Sequence, residues 1–175
     1  DRVHKGGAKF DFEKAKWYNH EWIKRKDAAS LKPDVIKVLE SGNITVSDES
    51  YLEKVIDLVK ERCTLMPDFL QHASFFFQPP AILDVDAVKP KWNEDKRLFF
   101  EEYSIILQAV DNWELGVIEN EFKNIATAKN IKPGELLLPL RIMLVGGKFG
   151  PAAFQIAELI GKEETMNRIK KALSV

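Results

Sequence analysis

The stretch from Pro133 to Phe154 limits what this chain can fold into more than any other. It sets Arg141 inside an apolar run, Leu136 to Val145, where a charge needs a partner or a role. Directly behind the run stands Gly146-Gly147-Lys148-Phe149-Gly150-Pro151. Glycine supplies the left-handed conformation that closes a helix, and Pro151 suits the first position of the helix that follows. The expected result is two helices meeting at a rigid, small-residue corner with Lys148 at its tip. A ligand can approach the backbone closely there, because glycine has no side chain to hold it off.

The rest of the chain is written at helical spacing. After a turn at Gly6–Phe10, Asp11 is a good N-cap for a helix from Phe12 to about Lys26. Its apolar stripe takes Ala15, Tyr18 or Asn19, and Trp22 or Ile23, and the aromatics Trp17 and Trp22 read as packing. Ser30 caps a short helix that runs to Leu39 and ends at Gly42. A longer helix spans Glu49 to about Arg62, with Leu52, Val55, Ile56 and Val59 buried and Tyr51 beside them. Another runs from Leu65 to about Phe75, turning Leu65, Phe69, Ala73 and Phe76 inward, until Gln78-Pro79-Pro80 breaks it.

From Asn93 to about Asp111, Leu98, Phe99, Tyr103, Ile106 and Leu107 share one face. Trp113 leads into a helix over 114–128 that buries Val117, Ile118, Phe122 and Ile125. Beyond the corner, helices of about Ala152–Ile160 and Lys162–Leu173 join at Gly161. No alternating pattern longer than three or four residues supports a strand. The expected fold is therefore all-α, about nine short helices stacked in pairs, in two helical subdomains divided across Pro79–Lys91.

Composition excludes several classes of function. Hydrophobic residues are 45% and charged residues 30% of 175, the balance of an ordinary globular protein. The apolar runs fall short of the roughly 18 residues of a membrane span, and nothing resembles a signal peptide. Cys63 has no partner for an internal disulfide, which suits a cytoplasmic protein. His4, His20, His72 and Cys63 show no metal-ligand spacing. There is no phosphate-cradling glycine loop, no His-Glu-x-x-His and no nucleophile elbow, so no catalytic or metal residue is expected. Asp1 rather than Met stands first, so a longer chain is expected before it.

The net charge of −1 conceals an asymmetry. Residues 1–27 carry eight basic and five acidic side chains, and residues 131–175 carry seven and four. Residues 28–130 carry eleven and eighteen. Basic ends around an acidic middle are compatible with RNA docking, which follows local patches rather than the total.

Pro139-Leu140-Arg141, the glycine turn, Gly150-Pro151, Leu159-Ile160-Gly161-Lys162-Glu163-Glu164 and Arg168-Ile169…Ala172-Leu173 together resemble the C-terminus of bacterial glutamyl-tRNA synthetases. The string Ala8-Lys9-Phe10-Asp11…Lys14…Trp17-Tyr18-Asn19…Trp22-Ile23 is similar to the segment after that family's catalytic half, with Ala15 where Leu is the norm. Arg62…Leu65…Phe69, Ala73…Phe76-Phe77 looks like its helix pair before the subdomain boundary. The resemblance is collinear over essentially the whole chain.

It implies a cage-like anticodon-binding domain in three parts. Residues 1–26 would end the stem-contact region and form a connecting helix, and residues 27–85 and 86–175 would be the two anticodon-binding subdomains. Arg62 matches the arginine by which members reading glutamate rather than glutamine tRNAs recognise the third anticodon base. Arg141 matches the arginine that contacts the anticodon from the second subdomain. Gly150, Pro151 and Ala153 fall on the loop that packs against an anticodon base, and Lys148 lies beside them. The family often has a polar residue at Gly150 and a larger apolar one at Ala153. The implied partner is tRNA(Glu), met as a monomer in the cytoplasm. ATP, magnesium and glutamate would be bound only by a catalytic domain, whose His-Ile-Gly-His-like and Lys-Met-Ser-Lys-Ser-like signatures do not occur here.

Taken without the resemblance, the residues leave alternatives open. Arg62 also suits a helix C-terminus, where a cation complements the dipole. Arg141 also suits an internal tie to backbone carbonyls or a carboxylate. A helical protein-interaction module without a nucleic-acid role stands as the alternative function.

Overall fold

The computed structural model describes residues 11–174, so the turn expected at Gly6–Phe10 lies outside the described residues. Within them stand nine α-helices and no strand, which is the expected all-α class. α1 (Phe12–Arg25) begins at Asp11, whose carboxylate accepts the Lys14 N–H at 3.0 Å. α2 (Ala28–Ser41) begins earlier than expected. Asp27, not Ser30, is its N-cap, because the Asp27 carboxylate takes both the backbone N–H of Ser30 at 2.7 Å and its hydroxyl at 3.0 Å.

α3 (Glu49–Val59) is capped by Asp48, and Lys60–Arg62 tighten into a 3-10 turn instead of continuing it. α4 (Asp68–Ala73) is shorter than the expected Leu65–Phe75. Asp68 accepts the N–H groups of Thr64 and Leu65, each at 2.8 Å, which holds a turn where periodicity suggests helix. Leu65 therefore stands 44% exposed rather than buried.

The second half holds α5 (Glu94–Ala109), α6 (Leu115–Ala128), α7 (Pro133–Val145), α8 (Ala153–Ile160) and α9 (Lys162–Leu173). Phe122 of α6 lies at its centre, with ring centroids 4.9 Å from Phe99, 5.2 Å from Tyr103 and 5.1 Å from Phe154. Phe100 takes the buried place expected of Leu98, which is exposed. Tyr103 donates its hydroxyl to the Ile118 carbonyl at 3.1 Å, the pairing a buried phenol requires. Arg168 of α9 is buried too, donating to Glu164 at 2.7 Å and to the Leu144 carbonyl near the end of α7 at 2.6 Å.

One continuous hydrophobic core runs from Ile23 of α1 to Ile169 of α9. Leu31, Val35 and Leu39 of α2 share it with Leu52, Val55, Ile56 and Val59 of α3. Where the two halves meet, the Phe75 ring lies 6.0 Å from that of Phe149. The Asp84 N–H reaches the Gly146 carbonyl at 2.8 Å. Both contacts bring the first half onto the glycine corner.

Candidate nucleic-acid interface

Gly146 closes α7 at φ +84°, and Gly150 sits at φ +96°. A Cβ on Gly146 would stand 2.6 Å from the Ile82 carbonyl oxygen and 2.8 Å from Pro80 Cβ, so no side chain fits. The expected corner is therefore present, with one correction. Pro151 is not the first residue of α8, which starts at Ala153 after the extended N-cap Ala152. Ala152 has no capping side chain, and the Gln155 side-chain oxygen instead accepts its N–H at 3.3 Å. Pro151 lies outside the helix because its carbonyl, with the two before it, is held by Arg141.

That hold explains a charge within an apolar run. Nη1 of Arg141 donates to the carbonyls of Phe149 at 3.2 Å, of Gly150 at 2.9 Å, and of Pro151. The internal tie left open by the sequence is real. All three bonds use one nitrogen, and Nε and Nη2 make no hydrogen bond among the described residues. Burial holds this guanidinium below its ordinary pKa, and the charge of Arg62 pushes the same way. Arg62 is the last residue of the 3-10 turn after α3, exposed, with no bond to its guanidinium among the described residues. Two arginines far apart in sequence are thus near enough for the charge of one to act on the other.

His72 of α4 stands at the same place, although sequence reasoning did not single it out. Its ring lies edge-on to Phe149, centroids 6.5 Å apart. Burial lowers its pKa, with the Asp68 carboxylate opposing and Arg62 adding to the effect. Only the tertiary fold carries α4 to the corner, so no local pattern marks this histidine. Of the remaining expected residues, Lys148 is exposed at the tip, whereas Pro151 and Ala153 are buried. A base lying on this loop would meet backbone and arginine rather than the side chains of Pro151 and Ala153.

α1 overturns an expectation. Trp17, Tyr18 and Trp22 are 55%, 56% and 47% exposed, not packed. Asn19 and Ile23 face inward instead, because the Asn19 amide donates to the Thr64 carbonyl and Nδ1 of His20 to the Cys63 carbonyl at 3.0 Å. Lys26 lies 5.3 Å over the Trp22 ring and Lys14 5.9 Å over that of Tyr18. As for chemistry, no group of three His, Cys, Asp or Glu residues among those described could hold a metal. Cys63 is buried and its thiol is pushed up to about 12, too high for a nucleophile at neutral pH.

Comparison with known proteins gives a consistent picture. Residues 12–173 match the family model described as the anticodon binding domain. The glutamate–tRNA ligase of Christiangramia forsetii is 39% identical over 173 residues, covering 99% of this chain and 34% of its own length. That of Porphyromonas gingivalis is 35% identical over the whole chain and again 34% of its own. A solved glutamate tRNA ligase from Elizabethkingia meningosepticum, in complex with its amino acid, superposes at a TM-score of 0.87 with 36% identity, over 99% of this chain and 34% of that one. The chain thus spans about a third of the length of the relatives it matches.

Proposed function

The chain belongs to the anticodon binding domain family, and from that membership we propose that it grips the anticodon loop of tRNA(Glu) as part of a glutamate–tRNA ligase. One observation carries the reading. Arg141, from one side of Pro79–Lys91, keeps two guanidinium nitrogens unengaged within reach of the charge of Arg62, from the other side. Unpaired bases expose their edges and faces, and a guanidinium can hydrogen-bond to the one and stack on the other. Arg62 reads the third anticodon base and Arg141 another part of the loop. Gly150 and Pro151 offer backbone for a base to lie against, beside Ala153, and Lys148 a cation for phosphate.

In this reading the chain does no chemistry. ATP with magnesium, and glutamate, bind in another part of the full-length ligase. The protein works as a monomer in the cytoplasm, and no helix among the described residues is long and apolar enough to cross a membrane. Residues 1–26 connect to the stem-contact region, and 27–85 and 86–175 act as the two gripping subdomains.

A gel shift with glutamate tRNA and a non-cognate tRNA tests the reading. Selective retardation of the first is expected. Retardation of neither would favour the protein-interaction module, and equal retardation of both would overturn the choice of tRNA(Glu) while keeping RNA binding.

A further inference from the structure

We propose that His72 is a third reader of the loop: a neutral imidazole that donates its Nε2 proton to an acceptor atom on an unpaired base held between Arg62 and the corner. The proposal rests on the RNA reading above and adds to it a residue and a type of contact.

Position comes first. The ring lies against Phe149, one of the residues whose carbonyls Arg141 gathers. The field of Arg62 reaches both His72 and Arg141. Histidine and arginines therefore border one site, although they come from α4, the 3-10 turn and α7.

The state of the ring follows from its nitrogens. Of the two, only Nδ1 is both buried and without a hydrogen-bond partner. A buried N–H lacking an acceptor is rarer in proteins than an under-used acceptor. The favoured neutral tautomer leaves Nδ1 as a bare lone pair and carries the proton on Nε2. Protonating the ring would add that unpaired N–H on Nδ1, so the same burial keeps the imidazole neutral.

Two charged neighbours act on the ring in opposite directions. Asp68 on α4 is the acid that opposes neutrality, and one of its oxygens, Oδ2, already accepts the N–H groups of Thr64 and Leu65. Arg62 from the 3-10 turn is the cation that acts on the ring, Arg141 of α7 is tied to the Phe149 carbonyl beside it, Lys148 is the exposed cation next to Phe149 in sequence, and Phe149 brings no charge.

The chemistry differs from that of the arginines. A guanidinium is attracted to phosphate as well as to bases, whereas a neutral N–H donor gains little from charge and depends on a matching acceptor. A base carbonyl oxygen or unprotonated ring nitrogen provides one, and an exocyclic amine does not. His72 would thus add discrimination at one base without adding general affinity.

The test binds the full chain to an anticodon stem-loop RNA carrying the glutamate anticodon, and to versions with each anticodon base changed in turn. His72→Phe keeps an aromatic ring against Phe149 but removes the donor, and His72→Gln keeps a donor of similar reach. His72→Phe should bind the matched RNA about tenfold more weakly, the lower end of what a lost base contact costs. It should also lose discrimination at one base, with His72→Gln recovering most of both. Nitrogen-15 spectra should show the proton on Nε2, and added RNA should move that signal. His72→Phe binding every RNA as the parent does would overturn the proposal. So would a proton found on Nδ1, or uniform weakening in both variants with a lowered melting temperature, which marks a structural role. A parent chain that binds no anticodon loop overturns the RNA reading itself, and the proposal with it.

Discussion

Arg141 gives one nitrogen to structure and leaves two for a ligand, whereas Arg62 is exposed and tied to nothing within the described residues. Their removal should therefore look different. Arg141→Ala frees three carbonyls and should cost about 1–3 kcal/mol of stability, along with RNA affinity. Arg62→Gln should leave stability within about 0.5 kcal/mol, as surface changes do, and cost about 1–3 kcal/mol in binding, relieved in an RNA changed at the third anticodon base. Melting temperatures measured beside titrations decide, and equal destabilisation by both variants would contradict the division. His72 adds a pH term. Its folded-state pKa lies below the unfolded value, so the unfolded chain binds more protons in between. The stability this contributes is complete above the unfolded pKa, about 6.5, and is lost as pH falls from there towards the lowered folded value. The parent should thus lose melting temperature on acidification faster than His72→Phe does, and parallel curves would mean the ring is not held neutral.

Helix ends were legible wherever the signal was local. Asp11 and Gly146 end helices as their residue types suggest. The slips came where two candidates compete or a distant group decides. Asp27 and Ser30 are both good caps, and the carboxylate won by accepting both Ser30 donors. In α1 the pairs Tyr18/Asn19 and Trp22/Ile23 fit the same stripe. Hydropathy prefers the aromatics, but the carbonyls of Cys63 and Thr64, on a turn forty-odd residues away, draw His20 and Asn19 inward. Asn19→Ala should therefore cost more than the far larger Trp17→Ser or Trp22→Ser. The expectation is about 1–2 kcal/mol for the first, from the orphaned Thr64 carbonyl, and under about 0.5 for each of the others. Denaturant midpoints of the three variants check the order. The site was less legible than the fold. Arg62 and Arg141 stood out by resemblance, while His72 and the buried Arg168 acquire their roles only through packing between helices.

Across the whole molecule, a net charge of −1 says little about affinity for a polyanion, because the cations are not spread evenly. Lys148 at the corner and Lys170 and Lys171 in the last turn of α9 are exposed. Each phosphate they neutralise should add about −0.7 to the slope of log affinity against log salt. Reversing the three charges together should flatten that slope, and an unchanged slope would place the phosphate contacts elsewhere. The Arg141 tie has a further consequence, for time rather than strength. Three carbonyl bonds order residues 149–151 when the chain folds, so an arriving loop finds nothing there left to immobilise. Encounter should then be limited by diffusion and orientation, not by a search among conformations. Stopped-flow mixing should show Arg141→Ala slowing association, because its corner must first find the competent shape. Arg62→Gln should leave association nearly unchanged and shorten the life of the complex. The half-buried arginine within the apolar run would thus set how quickly the partner is caught, and the exposed one how long it stays.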